Sequence, residues 1–155
     1  MQSFSESFLL EPLRAGELAL PADGVREPVV DADGIADIAA AALTDDRHAG
    51  QLYELTGPRL LRFDEAVAEI ARASGRRIRY TPVTTEQFTS ELAAAGVPDL
   101  VRSLLRYHST TVLDGRDAQL ADGVERALGR RPRDFADYAR DAAAAGVWTA
   151  TQLAA

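Results

Sequence analysis

The sequence predicts an α/β fold in which helices dominate, and three neighbouring stretches carry that prediction. Residues 52–56, Leu-Tyr-Glu-Leu-Thr, alternate apolar and polar and stop at Gly57-Pro58, as a strand and its turn do. Residues 63–71 place Phe63, Ala66, Val67, Ile70 and Ala71 on one helical face. Ile78, Tyr80 and Pro82 then alternate with Arg79 and Thr81, which reads as a strand over 78–83 with Pro82 at an edge or strand end. Strand, helix and strand in that order form a small parallel βαβ unit, right-handed in nearly all cases. From Thr84 to Gly146 the pattern is helical, so a helix-rich C-terminal cap is expected on that unit. The chain, 155 residues long, reads as a single domain over 1–155.

Taken in order, residues 1–30 are expected to be loosely ordered. Phe4, Phe8, Leu9 and Leu13 recur at helix-like spacing, but turn chemistry follows at Gly16, Pro21, Asp23-Gly24 and Pro28. Val29-Val30 reads as a short buried strand end. Asp31 or Asp33 then caps a helix bearing Ile35, Ile38, Ala39, Ala42 and Leu43 as one apolar stripe. In the second helix Asp64-Glu65 suit the first turn and Gly75 the C-terminal stop. Thr84-x-x-Gln87 is a capping box for a helix with Phe88 and Leu92. Pro98 suits the first position of a helix over 98–113, where Leu100, Val101, Leu104, Leu105, His108 and Val112 share a broad face and Gly115 ends the run. A short turn around Val124 and Leu128 stops at Gly129. Asp134 caps a last helix with Phe135, Tyr138, Ala139 and Ala142, closed by Gly146, and Thr149 to Ala155 are expected to fray.

Composition removes whole classes of chemistry. The apolar fraction of 46% and charged fraction of 26% are those of an ordinary globular protein. No apolar run approaches the length of a membrane span, and the first residues lack a basic, apolar leader pattern. A cytoplasmic protein with no membrane partner is expected. The net charge of −7 argues against nucleic-acid binding, which needs cations to replace condensed counterions. All 17 basic residues are arginine, which excludes Schiff-base lysines, a P-loop lysine and a Tyr-x-x-x-Lys pair. Without cysteine there is no disulfide, thiolate ligand or thiol nucleophile, and two distant histidines make a metal site improbable. Asp31 and Asp33 stand close in sequence, but capping is the reading that their positions favour. No serine stands in a Gly-x-Ser-x-Gly setting. His48 falls in a loop and reads as solvent-exposed. Trp148 either plugs a core gap or meets a partner.

Several stretches in order resemble the C-terminal, substrate-side half of NmrA-like atypical short-chain dehydrogenases/reductases. Met1 with Phe4-Ser5-Glu6 resembles a Met-x-Asn-Phe-Ser-Glu stretch of that family. Val29-Val30-Asp31-Ala32-Asp33-Gly34-Ile35-Ala36 is similar to its Val-x-Asp-Asp-Ile-Ala segment, with glycine replacing the second aspartate. Tyr53 to Pro58 resembles the strand and turn that follow, and Arg131-Pro132-Arg133-Asp134-Phe135 the closing Gly-Arg-x-Pro-x-x-Phe pattern. The resemblance makes the βαβ unit a remnant of a Rossmann-type sheet. It also implies a preceding dinucleotide-binding half, whose glycine-rich turn approaches the cofactor pyrophosphate. Of the eleven glycines here no two stand two residues apart, so no Gly-x-Gly is present and no cofactor is expected to bind.

In that family the helix corresponding to 98–113 helps wall the substrate cleft. The resemblance therefore nominates His108 as acid/base catalyst, with Tyr107, Leu104, Val112 and Phe88 as substrate-binding residues. The bland alternative makes His108 a partly buried structural histidine and Tyr107 an amphipathic residue at a helix boundary. Three functions stay open: a small-molecule-binding, substrate-side domain without its own nicotinamide site, a cofactor-independent isomerase or cyclase that reuses the cleft, and a partner or regulatory half-protein completed by another chain. Whether the chain is an enzyme is open, though it is not expected to be a self-sufficient NAD(P)-dependent dehydrogenase. An unpaired sheet edge leads to the expectation of a homodimer or a partner chain that covers it.

Overall fold

The computed structural model describes residues 1–150 and is α/β, with helices in the majority. Residues 151–155, the end of the stretch expected to fray, lie outside the described part. Thr149 itself is held by a bond from its N–H to the Gly146 carbonyl at 3.1 Å.

The N-terminal thirty residues are structural, contrary to the loose order expected of them. They form α1 (Ser3–Glu6), α2 (Leu10–Ala15), β1 (Glu17–Leu20) and β2 (Arg26–Glu27). Phe4, Leu9, Leu13, Leu18 and Leu20 are buried in the main core. The turn signals at Gly16 and Gly24 thus separate short elements rather than mark a tail. Gly16 adopts φ 97°, a left-handed cap for α2, and β1 starts at the next residue.

The parallel pair exists, but its first strand is not 52–56. Strand β1 pairs with β4 (Arg79–Pro82) in parallel, Glu17 opposite Arg79 and Leu20 opposite Pro82. Residues 52–56 form no strand ladder. They are stitched down by side chains instead: the Thr56 hydroxyl donates to the Ala121 carbonyl at 3.1 Å and accepts the Ala121 N–H at 3.0 Å. The Gly57 N–H donates to the Pro28 carbonyl at 3.1 Å. Burial alternates over 52–55, with Tyr53 and Leu55 half-buried and Leu52 and Glu54 exposed, but Thr56 is buried directly after Leu55, so the pattern reflects a seated segment and not pairing. Likewise Val29-Val30 is not a strand; β2 precedes it and pairs antiparallel with β3 (Leu61–Arg62).

Helix α3 (Ala32–Thr44) is capped by Asp31, as expected, and α4 (Phe63–Ser74) stops at Gly75 with φ 65°. The capping box opens α5 (Thr85–Ala94), with Thr84 accepting from the Gln87 N–H at 3.1 Å and Gln87 returning the favour at 2.9 Å. Helix α6 (Asp99–Tyr107) has Pro98 as its N-cap, and then widens into a π-type turn over His108–Val112, closed by the Leu113 N–H on the His108 carbonyl at 2.9 Å. Helices α7 (Gly123–Leu128) and α8 (Phe135–Ala144) complete the cap, α8 opened by Asp134.

The main core lies where α4, α8 and the N-terminal segment meet. Phe4 packs edge-on to Phe135 (centroids 5.2 Å apart) and beside Phe63 (6.0 Å). Trp148 plugs this core: it is 1% exposed and donates its indole N–H to the Phe4 carbonyl at 2.9 Å. A second, smaller core joins Ile38 of α3 to Val124 and Ala127 of α7. The rest of the predicted α3 stripe does not pack, since Ile35 and Leu43 are exposed. His48, expected in solvent, is buried: its Nδ1 meets the Tyr53 hydroxyl at 2.8 Å and its Nε2 accepts from Arg47 Nε at 3.2 Å. The Arg126 guanidinium lies over the Tyr53 ring, 5.3 Å from its centroid.

Candidate functional site

A cleft of about 410 Å³ opens between the N-terminal helices and the α6 end of the cap. Its volume lies in the range of small-molecule sites, and most of its lining is carbon. Phe4 and Phe8 reach it from α1 and the α1–α2 turn, Phe63 from the start of α4, and Phe88 from α5. Pro28, Val29 and Val30 form another wall, and Leu105, His108, Ser109 and Leu113 close the far side. A second apolar trough of about 450 Å³ runs along β1 towards Leu92, Val97 and Val101. The two share Phe8, Leu9, Leu20, Phe88 and Leu105, so Phe88 and Leu105 form a saddle between them.

The helix geometry sorts the residues nominated from sequence. Leu105, His108 and Ser109 stand at i, i+3 and i+4 and face the cleft together. Leu104 and Tyr107 lie one residue back on the neighbouring face and are 63% and 57% exposed. They do not line the cleft, and neither does the half-buried Val112. His108 is exposed, which removes the reading of it as a core histidine, and it forms part of the cleft wall. Phe88 is buried and lines both cavities. The π-type turn starts at His108, and such insertions recur at functional sites because they re-aim side chains.

Most polar groups of the cleft are already engaged. The Ser7 hydroxyl donates to the Ser3 carbonyl at 2.6 Å, and that of Ser109 to the Leu105 carbonyl at 2.9 Å. Glu27 is different, and sequence reasoning missed it. It lines the cleft from the end of β2, and its Oε1 is buried with no hydrogen-bond partner among the described residues. Burial, with Asp117 and Asp114 nearby, pushes its carboxyl above the usual range. The available signal was one acidic residue directly before the apolar run Pro28-Val29-Val30. No arginine lines the cleft, and among the described residues no three His, Asp or Glu side chains cluster to hold a metal ion.

No protein-family model matches the chain. It is 32% identical to an NAD(P)H azoreductase of Xenophilus azovorans over 84% of its own length and 46% of that protein's. An uncharacterised oxidoreductase of Bacillus subtilis is also 32% identical, over 77% of this chain and 41% of the relative. Among solved structures, the triphenylmethane reductase of Citrobacter sp. superposes with a TM-score of 0.78 at 21% identity, covering 93% of this chain and 50% of that one. The NADPH-dependent quinone oxidoreductase of Escherichia coli, solved with NADPH, gives 0.75 at 21% identity over 88% and 50%. The chain is similar to NAD(P)H-dependent reductases and spans about half the length of the curated relatives it matches. The structural likeness establishes the fold: an α/β chain with a small parallel strand pair that matches part of a Rossmann-like fold.

Proposed function

We propose that this chain is the substrate-side half of an NmrA-like atypical short-chain dehydrogenase/reductase, binding a small organic molecule while a separate unit holds the nicotinamide cofactor. The observation that carries the reading is the mainly apolar 410 Å³ cleft, set in a fold shared over about half their length with NADPH-dependent reductases. Two features support the assignment of the cofactor to another unit. The sequence contains no Gly-x-Gly to bring backbone close to a pyrophosphate, and no arginine lines the cleft to meet its charge. Relatives named for azo compounds, quinones and triphenylmethane dyes suggest flat aromatic acceptors as the substrate class.

The cofactor-independent isomerase needs polar groups converging on His108. Serine hydroxyls spent on backbone carbonyls do not supply them, and no hydrogen bond among the described residues joins Glu27 to His108, so the oxidoreductase-side reading is preferred. The partner-chain reading is compatible with it, because the unit holding the cofactor would itself be that partner. Calorimetric titration tests the proposal: quinone and azo compounds are expected to bind the chain with micromolar affinity, weakened by Phe88→Ala, while NADPH is not. NADPH binding at micromolar affinity, or no aromatic binding, would overturn it.

A further inference from the structure

We propose that the Glu27 carboxylate is an anchor for a basic nitrogen, so that the cleft selects organic cations with an apolar, aromatic-sized body. This rests on the reading of the cleft as a ligand site and adds the charge of what enters it.

The geometry sets Glu27 apart from every other acid near the cleft. Its Oε1 is buried and unpartnered, and two arginines close to it in the fold or to its acidic neighbours are engaged elsewhere. Arg62, in the strand paired with β2, donates to both Asp64 oxygens at 2.8 Å. Arg116 grips Asp114 at 2.7–3.0 Å. The Met1 nitrogen, at the cleft's edge, donates to the Val30 carbonyl, and its acidic neighbours are Asp31 and Glu6 rather than Glu27. Glu27 is half-buried, with one carboxylate oxygen out of water and without a partner; that partial desolvation costs free energy, and a ligand cation beside the carboxylate offsets it.

The rest of the wall fits the same ligand. Phe4, Phe8, Phe63 and Phe88 offer ring faces and edges to an aromatic body, and aromatic faces attract a cation as well. An anionic ligand has no arginine in the cleft to meet it and is repelled by Glu27. A neutral ligand gains the apolar contacts but leaves Oε1 unsatisfied. Charge therefore discriminates where shape does not.

Three probes with one ring body decide the matter: 2-naphthylmethylamine, 2-naphthylmethanol and 2-naphthoate, titrated calorimetrically at pH 7 into the whole chain. The amine is expected to bind roughly tenfold more tightly than the alcohol, the scale of one charge-assisted hydrogen bond, with the acid weakest. Glu27→Gln should bring the amine down to the level of the alcohol and leave the alcohol unchanged, while Glu27→Asp, keeping the charge, preserves part of the preference. Equal affinities, or an amine affinity untouched by E27Q, would overturn the carboxylate anchor and leave the cleft standing as a ligand site. Failure of all three probes to bind would overturn both.

Discussion

Arg59 holds two acids at once and joins three segments of the fold. Its guanidinium meets both oxygens of Asp134 at 2.8 and 2.9 Å and both of Glu69 at 2.8 and 3.0 Å, tying the loop before β3 to α4 and to the cap of α8. The Arg59 hydrogen bond holds the Asp134 carboxyl below its ordinary range. For Asp31, burial pushes upward, but hydrogen bonds from Gln2 and Arg133 outweigh it and the net displacement is also downward. A carboxyl depressed in the folded state gives stability that is present above its unfolded pKa and lost as pH falls through the folded one. Urea unfolding should therefore show stability falling below about pH 4, and Arg59→Ala should flatten that fall. Glu27 has the opposite sign: its carboxyl is raised, so its cost appears as pH rises through the folded pKa. Glu27→Gln should raise the melting temperature at pH 7 and have no such effect near pH 4; a loss of stability at pH 7 would contradict the unpartnered state of Oε1. His108, exposed at the cleft, should tolerate alanine within about 0.5 kcal/mol in thermal unfolding.

At the scale of elements, what was legible in the sequence is what depends on neighbours along the chain. The capping box at Thr84-Gln87, the caps Asp31 and Asp134, and the stop at Gly75 are local hydrogen-bond chemistry, and each stands where the residues placed it. The identity of the strand beside β4 was not local: 52–56 reads as a strand and 17–20 falls in a segment read as loosely ordered, yet tertiary pairing selects 17–20. The N-terminal segment was misread for a similar reason, because α2 is too short to stand alone and is completed by a distant residue. Arg76 donates to the Leu13 carbonyl at 3.3 Å, the Arg14 carbonyl at 2.6 Å and the Trp148 carbonyl at 2.5 Å, capping the C-terminal end of α2. Nothing in the sequence around Arg76 reveals those partners. Of the site, the helix carrying His108 and the aromatic Phe88 were readable; Glu27 was not, since its missing partner is a property of the folded cleft. Two glycines show how tightly 52–57 is seated. A Cβ on Gly57 would stand 2.1 Å from the Val29 carbonyl oxygen, and one on Gly123 would stand 2.1 Å from that of Glu54. Gly57→Ala and Gly123→Ala should each cost about 1–3 kcal/mol in chemical denaturation, because both obstacles are backbone. Gly24→Ala, with open space around it, tests for the left-handed backbone alone.

At the scale of the molecule, the described surface leaves apolar material in water that a self-contained protein would cover. Leu100, Leu104 and Tyr107 are 82%, 63% and 57% exposed along one side of α6, and β1 and β4 pair with each other and with no further strand among the described residues. A two-stranded parallel pair is marginal by itself, and parallel sheets are ordinarily extended on both edges. The apolar trough is lined by all four residues of β1. Unpaired edges and contiguous apolar patches drive association, so the chain is expected to self-associate in solution or to take up a partner strand. Light scattering at low micromolar concentration should give a mass above the 16.7 kDa of one chain. Replacing Leu100 and Leu104 by glutamate should shift it towards the monomer with little loss of stability, because neither side chain packs in the core. The surface would be shown to suffice by itself if the unmodified chain ran as a monomer and unfolded cooperatively, and the need for a covering strand would fall with that result.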